Sequence, residues 1–291
     1  MGVSMSRRIL LIVSAVVLAV AVIGFVALDR ALYGIPGFHL TRSFSSQFRG
    51  AHRANVNGIS LYYEIYGQGP PVLVLHGAGA FLESMHYFIT ALAPGHTVIA
   101  VDSRGQGRST DSSTPLTYAA MGGDMIALMD TLHLKQADVV GWSDGGIVGL
   151  DMAMKHPGRV RRLVAIGANY DTAGLDAKQM TPAMLDAQTR QIKPLYDLIA
   201  PDPAHFPAMV KKIETMIATE PHYALADLGR IRARVLVVAG EHDLILRRHT
   251  DAMAQAIPGA KEIIVPGASH IGPLEQPDTY NRLVLEFLDA R

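Results

Sequence analysis

The residues with the clearest chemical potential are five consecutive ones, Gly141-Trp142-Ser143-Asp144-Gly145. They follow an apolar run at 139–142 and precede a segment of helical spacing that begins at Ile147. A serine between two glycines in a strand–turn–helix setting indicates a sharp turn that holds the hydroxyl at its tip, beside a helix N-terminus. Ser143 is therefore a candidate nucleophile. The alternative is a glycine-rich structural turn that contains a serine incidentally.

A serine hydroxyl needs a general base, and the base needs an acid that orients it. Of the 12 histidines, only His270 lies in a loop after the last predicted strand, and Asp243 follows the strand before it. The order Ser, Asp, His places each residue just beyond a strand end, where a parallel sheet presents its site. The sequence therefore predicts a triad of Ser143, Asp243 and His270. The alternatives are an ordinary loop histidine and a turn-forming aspartate.

Other polar residues nearby have different expected roles. Asp171 follows the predicted strand at 163–166 and is the reserve acid. Glu241 and His242 flank Asp243 and are interpreted as turn residues. Residues 102–109 resemble a phosphate-binding glycine loop but lack its lysine and its glycine spacing, so we expect a solvated turn near the mouth of the pocket.

Acyl transfer also needs two backbone donors for the developing oxyanion. His76-Gly77-Ala78-Gly79 comes directly after the apolar run at 72–75, where one N–H is needed, and the residue after the nucleophile supplies the other. Ala78 and Asp144 are the predicted donors. His76 precedes the glycine turn, so we expect it to be structural rather than catalytic.

The elements that position these residues form an alternating pattern. After a predicted hairpin at Asn57-Gly58, apolar runs typical of strands buried on both faces lie at 72–75, 98–101, 139–142, 163–166, 235–239 and 263–265. Segments of helical spacing lie at 85–92, 118–132, 147–155, 250–257 and 280–288. The pattern predicts an α/β fold with a mostly parallel sheet flanked by helices.

One connection is too long for a loop. Residues 169–230 separate two predicted strands, and apolar residues recur at helical intervals within this stretch. Prolines, among them Pro194, are expected to cut it into short pieces. We interpret residues 169–230 as a helical cap inserted into a core made of residues 53–168 and 231–291.

The N-terminus departs from this pattern. Residues 9–28 contain no charge and no proline, which matches the roughly 20 residues that a helix needs to cross a bilayer. A cleavable signal peptide is the alternative, although its apolar region is usually about 7 to 15 residues and ends in small residues. A buried globular helix is a further alternative.

We predict a membrane anchor at 1–30 and a linker at 31–52. Arg7 and Arg8 on one flank face Arg30 and Arg42 on the other, which biases the orientation weakly. We expect an extracytoplasmic catalytic part, or a secreted or periplasmic protein if the segment is cleaved.

Composition excludes several classes of function. The chain of 291 residues has 26 basic and 26 acidic residues, so it lacks the one-sided charge of nucleic-acid binders. It has no cysteine, which excludes disulfides, thiolate metal sites and cysteine nucleophiles. We expect no metal, no cofactor and no nucleic-acid partner. The expected partners are a small-molecule ester substrate and, through the N-terminal helix, a membrane; no sequence feature indicates an oligomeric state.

From about Asn57 to Leu288 the chain resembles the α/β-hydrolase superfamily, through the motifs at 76–79, 102–107, 141–146 and 240–243 and through His270. Residues 141–147 and 166–169 are similar to the valacyclovir hydrolase (biphenyl hydrolase-like) branch. The resemblance implies an α/β-hydrolase fold and a serine esterase. It also implies that the Asp144 carboxylate receives the amino group of amino-acid esters. The alternative is that this side chain accepts local backbone hydrogen bonds at the start of the helix. Trp142 is a second candidate for a substrate contact.

Three functions remain open at this point. The first is hydrolysis of a carboxylic ester, thioester or lactone through an acyl-enzyme. The second is carbon–carbon bond hydrolysis of the ring-cleavage type, whose His-Gly-x-Gly-Pro-Gly loop is not matched by His76-Gly77-Ala78-Gly79-Ala80-Phe81. The third is binding without catalysis. Ser143 excludes dehalogenase and epoxide hydrolase chemistry, which needs an aspartate at that position.

Overall fold

Eight strands form one sheet in the order β1-β2-β4-β3-β5-β6-β7-β8 in the computed structural model, which describes residues 46–290. The strands are β1 (Phe48–Val56), β2 (Ile59–Tyr66), β3 (Pro71–Leu75), β4 (Thr97–Val101), β5 (Ala137–Trp142), β6 (Val160–Ile166), β7 (Arg234–His242) and β8 (Lys261–Ser269). The pairs β1–β2 and β2–β4 are antiparallel and all others are parallel. The predicted mostly parallel sheet, opened by a hairpin, is confirmed.

Helices connect the strands and flank the sheet. They are α1 (His86–Leu92), α2 (Tyr118–Thr131), α3 (Asp144–Lys155), α4 (Pro182–Ile199), α5 (Phe206–Thr219), α6 (Leu225–Leu228), α7 (Arg247–Ala256), α8 (Gly272–Glu275) and α9 (Pro277–Asp289). Central strand β5 is buried along its whole length. This explains why its sequence is continuously apolar rather than alternating.

The hydrophobic core packs the parallel strands side by side. Leu73, Val139 and Leu163 on three adjacent strands are fully buried. Replacing such a leucine with alanine typically costs about 2 to 5 kcal/mol of stability. Parallel strands held in one register by this core bring their carboxyl ends to the same edge of the sheet, where the predicted catalytic residues follow them.

The predicted start of the folded core at residue 53 is wrong. β1 begins at Phe48, and Phe48 to Val56 pair along β2. Most residues in the first half of β1 are exposed or half-buried, because it is an edge strand. Residues 48–52 therefore show no apolar periodicity and give no strand signal, although their backbone belongs to the sheet.

Helices α4, α5 and α6 occupy the connection between β6 and β7, together with short 3₁₀ turns. Pro194 does not cut this segment as predicted, since α4 continues through it. Pro194 is exposed, so water can hydrate the carbonyl that its missing N–H leaves free. The next two residues, Leu195 and Tyr196, are buried, and Tyr196 packs against Phe206 at the start of α5. This packing holds α4 against α5.

The predicted membrane helix at residues 9–28 lies outside the described residues, as do most of the predicted linker and Arg291. Between residues 46 and 290, no helix has the length and apolar character that crossing a bilayer requires.

Candidate active site

Ser143 lies at the turn between β5 and α3. Its backbone has φ 55° and ψ −121°, a conformation that residues other than glycine rarely adopt. The two flanking glycines allow the turn to close. A Cβ on Gly141 would lie 2.1 Å from the carbonyl oxygen of Gly145, and one on Gly145 would lie 2.2 Å from that of Leu75. Any larger residue at either position would collide with backbone, so the predicted reason for the glycines is supported.

The structure brings the three predicted triad residues together. His270 Nε2 lies 3.0 Å from Ser143 Oγ, and His270 Nδ1 lies 2.7 Å from Asp243 Oδ1. A proton on Nδ1 is donated to the carboxylate and leaves Nε2 free to accept the serine proton. The three residues follow β5, β7 and β8.

Asp243 is held in the charged form that this arrangement needs. Burial raises the pKa of its carboxyl. The hydrogen bond and charge of His270, with the backbone N–H groups of Ile245 and Gly240, outweigh burial and lower that pKa below its usual value. Gly167, which follows β6, leaves room for the pair: a Cβ there would lie 3.0 Å from the His270 ring and 3.3 Å from Asp243 Oδ2.

The predicted oxyanion donors border the nucleophile. Ala78 and Asp144 both line the cavity that contains Ser143. Within residues 46–290, the N–H of neither residue donates a hydrogen bond. A Cβ on Gly77 would come within 3.1 Å of Ser143 Cβ, so the loop carrying Ala78 passes directly beside the nucleophile. Both N–H groups are thus available for an oxyanion.

His76 is structural, as expected. It is fully buried, its Nδ1 lies 2.7 Å from the carbonyl oxygen of Gly77, and its Nε2 accepts the N–H of Ser103. Burial lowers its pKa to about 4, so the imidazole is neutral at pH 7. It joins the loops that follow β3 and β4.

The prediction of a solvated turn at residues 102–109 is wrong, because most of its polar side chains are buried. Its charges are satisfied internally: Arg108 pairs with Asp102 and Glu83, while Arg104 pairs with Asp124. Gln106 accepts the N–H of Gly79 at 2.7 Å. The loop therefore supports the oxyanion loop rather than bordering solvent.

Asp171, the reserve acid, contacts a histidine other than His270. Asp171 accepts a hydrogen bond from His222 Nδ1 at 3.0 Å and lies in a different pairing from His270. The prediction that Glu241 and His242 are turn residues is wrong, because both lie at the end of β7, where Glu241 accepts the N–H of Gly267 and His242 pairs with Ser269 of β8.

Trp142 does more than line the cavity. Its indole Nε1 donates a 2.9 Å hydrogen bond to the carbonyl oxygen of His270. On the other side, Glu275 accepts hydrogen bonds from the N–H and the hydroxyl of Ser269, each at 2.8 Å. The backbone that carries the candidate base is therefore held from two directions.

A cavity of about 610 Å³ opens onto Ser143 and His270. This is the size of a pocket for a small molecule. Much of its wall is apolar and comes from the segment between β6 and β7 and from the loops after β7 and β8: Leu175, Met180, Met184, Ile192, Ile217, Leu244, Ile245, Ile271 and Leu274. Of the lining residues, which all belong to the described part of the chain, none is lysine or arginine.

Asp144 is almost fully buried beside this cavity. Its Oδ1 accepts the hydroxyl of Tyr118 at 2.9 Å, and its Oδ2 has no hydrogen-bond partner within residues 46–290. Burial raises the pKa of this carboxyl to about 6, against the lowering effect of Tyr118 and His270. The side chain does not cap the helix that it begins.

Two pocket residues carried no signal in the sequence. Tyr118 binds Asp144 through its hydroxyl, and its backbone N–H donates to Glu220 Oε2 at 3.0 Å. Glu220 directly follows α5 and also lines the cavity. Neither lies in a recognisable motif, and their contact depends on how the segment between β6 and β7 folds over the core.

The model of the alpha/beta hydrolase family matches residues 72–283, which include the nucleophile turn and every strand from β3 onward. The chain belongs to the alpha/beta hydrolase family. It is a hydrolase of that family, and this confirms the resemblance inferred from the motifs.

Proteins similar to this hydrolase are named for different hydrolytic activities. It is 30% identical over 252 residues to a protein of Azorhizobium caulinodans provisionally named carbamate hydrolase RutD, covering 78% of this chain and 94% of that one. It is 30% identical over 247 residues to mouse serine hydrolase BPHL, covering 80% and 84%. Among solved structures, the enol-lactonase of Burkholderia xenovorans LB400 matches with a TM-score of 0.67 and 25% identity, covering 82% of this chain and 100% of that one.

Proposed function

We propose that this hydrolase cleaves a carboxylic ester, thioester or lactone through an acyl-enzyme intermediate on Ser143. The observation that carries the proposal is the unbroken hydrogen-bonded line from Asp243 through His270 to Ser143 Oγ at the wall of the cavity. The small-molecule substrate follows from the family.

In the proposed mechanism, Ser143 Oγ attacks the carbonyl carbon as His270 Nε2 takes its proton, and Asp243 stabilises the imidazolium. The oxyanion accepts hydrogen bonds from the N–H groups of Ala78 and Asp144. His270 then donates its proton to the leaving oxygen or sulfur. A water molecule, activated by the same imidazole, hydrolyses the acyl-enzyme and restores the serine.

The test is labelling by a fluorophosphonate, which reacts with activated serines, combined with turnover of a panel of p-nitrophenyl esters. Wild-type protein should be labelled and should turn over at least one ester. Ser143→Ala should lose labelling and lower kcat by roughly a millionfold while keeping the fold. A labelled alanine variant would assign the reactive serine to another position, and an unlabelled, inactive wild type would favour a binding protein; either result would contradict the proposal.

A second feature of the substrate is favoured by Asp144. A buried carboxylate with one unpaired oxygen, in a cavity without a lysine or arginine in its described lining, suits an ammonium group on the acyl part. Asp144→Asn should then lower kcat/KM for an aminoacyl ester at least about tenfold more than for the matched neutral ester, a difference of roughly 1.4 kcal/mol. Equal losses would limit the Asp144 side chain to a structural role.

Carbon–carbon hydrolysis of the ring-cleavage type remains the rival reaction, because the same triad serves it. The loop at residues 76–81 lacks the proline and third glycine expected for that class. Including a vinylogous diketone in the substrate panel separates the two reactions. Turnover of the diketone without turnover of any ester would replace the leading proposal.

Residues 9–28 carry a separate proposal, that an uncleaved helix anchors the catalytic part on the extracytoplasmic side of a membrane. Its support is the apolar run in the sequence alone. Full-length protein should sediment with membranes and keep its N-terminus. A version lacking residues 1–45 keeps all of β1 and should be soluble and active. A mature N-terminus near Leu28 would instead indicate a cleaved signal peptide.

A further inference from the structure

Among the side chains whose burial the structure describes, the strongly exposed large apolar ones form two groups, those that line the active-site cavity and those that do not. Leu198 and Leu225 are 58% and 42% exposed and do not line the active-site cavity. Ile271 and Leu274 are 49% and 39% exposed, and both line it. Scattered exposed leucines need no explanation, but exposed apolar residues that continue the wall of a binding cavity indicate contact with a ligand.

Ile271 and Leu274 lie close in the chain to the candidate base, His270. Ile271 directly follows His270, and Leu274 lies on α8, the short helix that begins at Gly272. Glu275, the last residue of α8, is bonded to Ser269. The hydrogen bonds that hold His270 therefore also fix Ile271 and Leu274 at the rim of the cavity.

The interior of the cavity continues this apolar surface. Leu244 and Ile245 directly follow Asp243, and Leu175 forms a backbone bridge with Ile245. All three line the same cavity as Ile271 and Leu274. The residues that follow Asp243 thus give the interior of the cavity that contains Ser143 the same apolar character as Ile271 and Leu274.

We propose that Ile271 and Leu274 are specificity-determining residues that contact an extended alkyl chain of the acyl group, so that among esters with an uncharged acyl group those of medium-chain or longer fatty acids are preferred. This rests on the proposed ester hydrolysis. A chain that begins at the carbonyl beside Ser143 lies against Leu175, Leu244 and Ile245, and its distal methylenes cover the rim. Each methylene removed from water adds favourable free energy of binding.

The experiment uses protein lacking residues 1–45 and p-nitrophenyl acetate, butyrate, hexanoate and octanoate, all below their micellar concentrations. The wild-type ratio of kcat/KM for octanoate over acetate should be at least about tenfold. Leu274→Ser and Ile271→Ser should each lower this ratio at least about threefold, and the double variant about tenfold. Leu274→Met, which keeps an apolar chain, should retain it.

Leu198→Ser is the matched control, because it removes an exposed leucine that does not line the cavity. Its ratio should equal that of the wild type. Equal ratios in the wild type, Leu274→Ser and Leu198→Ser would overturn the inference while leaving ester hydrolysis intact. Absence of turnover for every ester would instead reject the proposed function itself.

A lipid surface is the other apolar occupant that such a rim accepts. Cosedimentation of the same proteins with phosphatidylcholine vesicles separates the two. Vesicle binding that is lost in Leu274→Ser, together with an unchanged octanoate-to-acetate ratio, would assign the rim to membrane contact and overturn the substrate assignment. The expected result is a changed ratio with no difference in sedimentation.

Discussion

The Trp142 indole N–H donates to the carbonyl oxygen of His270, so the residue before the candidate nucleophile is bonded to the candidate base. Their rings lie 6.4 Å apart between centroids. Because β5 carries Trp142 and β8 leads into His270, this hydrogen bond links the two strand ends that precede the proposed nucleophile and the proposed base.

Trp142→Phe tests that link, since phenylalanine keeps an aromatic ring and removes the N–H donor together with part of the indole volume. A hydrogen bond of this kind contributes about 1 kcal/mol, so kcat should fall about fivefold while KM changes less than twofold. Steady-state kinetics on a neutral ester measures both constants. An increase in KM at constant kcat would assign Trp142 to substrate contact instead.

Gly167→Ala should disturb the triad directly. Gly167 has φ +56°, and a Cβ would lie 3.0 Å from the His270 ring, so both backbone strain and side-chain contact oppose the methyl group. We expect a loss of about 1 to 2 kcal/mol in the free energy of unfolding and a fall in kcat of at least about tenfold.

Gly259→Ala is the control for this variant. It has φ +69°, and no atom lies within 4 Å of the added Cβ. It should lose a similar free energy of unfolding without the loss of kcat. If both variants keep wild-type kcat, Gly167 does not provide space that the triad requires.

The Asp144 carboxyl should make stability depend on pH between about 4 and 6. Its pKa is about 6 in the folded protein, against 3.8 ordinarily. A raised carboxyl pKa contributes stability that is fully present below the unfolded pKa and is lost as pH rises through the folded one. From pH 4 to pH 7, Asp144→Asn should therefore gain up to about 3 kcal/mol relative to wild type.

Urea denaturation of protein lacking residues 1–45, at pH 4, 5, 6 and 7, measures this difference. Asp243→Asn provides a contrast of opposite sign, because the pKa of Asp243 is lowered and its contribution is lost as pH falls. A difference for Asp144→Asn that stays constant with pH would show that burial does not hinder ionisation of this carboxyl.

Lys212 on α5 should control how firmly the helices between β6 and β7 hold to the core. Its Nζ donates to Asp111 Oδ2 at 2.6 Å and to the carbonyl oxygens of Ser112 and Thr114. Lys212→Met leaves the largely buried Asp111 with His205 as its remaining side-chain ion-pair partner in the described chain. We expect faster hydrogen exchange in α5 and an increase in KM of about threefold or more, since the substitution takes one charged partner from a largely buried carboxylate and removes two hydrogen bonds to backbone carbonyls.

The neighbouring Lys211 is exposed and makes no ion pair among the described residues, so Lys211→Met is the matched control. It should leave both measurements unchanged. Equal effects of the two substitutions would point to the loss of a positive charge in general rather than to the contact with Asp111.

The sheet was predictable because its parallel strands are buried on both faces, and burial leaves a continuous apolar signature. The first half of β1 was not, because an edge strand can be polar on both faces. Residues 102–109 were misjudged for a related reason. Charges such as those of Arg104 and Asp124 look solvent-exposed in a sequence, and only their pairing in the fold explains their burial.

The three candidate triad residues were predictable from chain order, since each follows an apolar run that was already interpreted as a strand. Tyr118 and Glu220 were not, because their contact joins residues 102 positions apart and depends on how α5 ends. The partner of the Trp142 indole was missed as well. The end of a predicted strand indicates where a residue lies in the fold. Its side-chain contacts depend on the conformation of the loops around it, which the sequence pattern does not give.

The residues proposed for bond cleavage and those that shape much of the cavity come from different stretches of the chain. Ser143, Asp243 and His270 follow core strands, while Met184, Ile192, Ile217 and Glu220 lie between β6 and β7. Because of this division, substitutions in the cavity wall between β6 and β7 can leave the positions of Ser143, Asp243 and His270 unchanged. The stretch between β6 and β7 is accordingly the natural target for directed evolution toward new substrates, and within a family it is where diversification can proceed while the reaction itself is inherited unchanged.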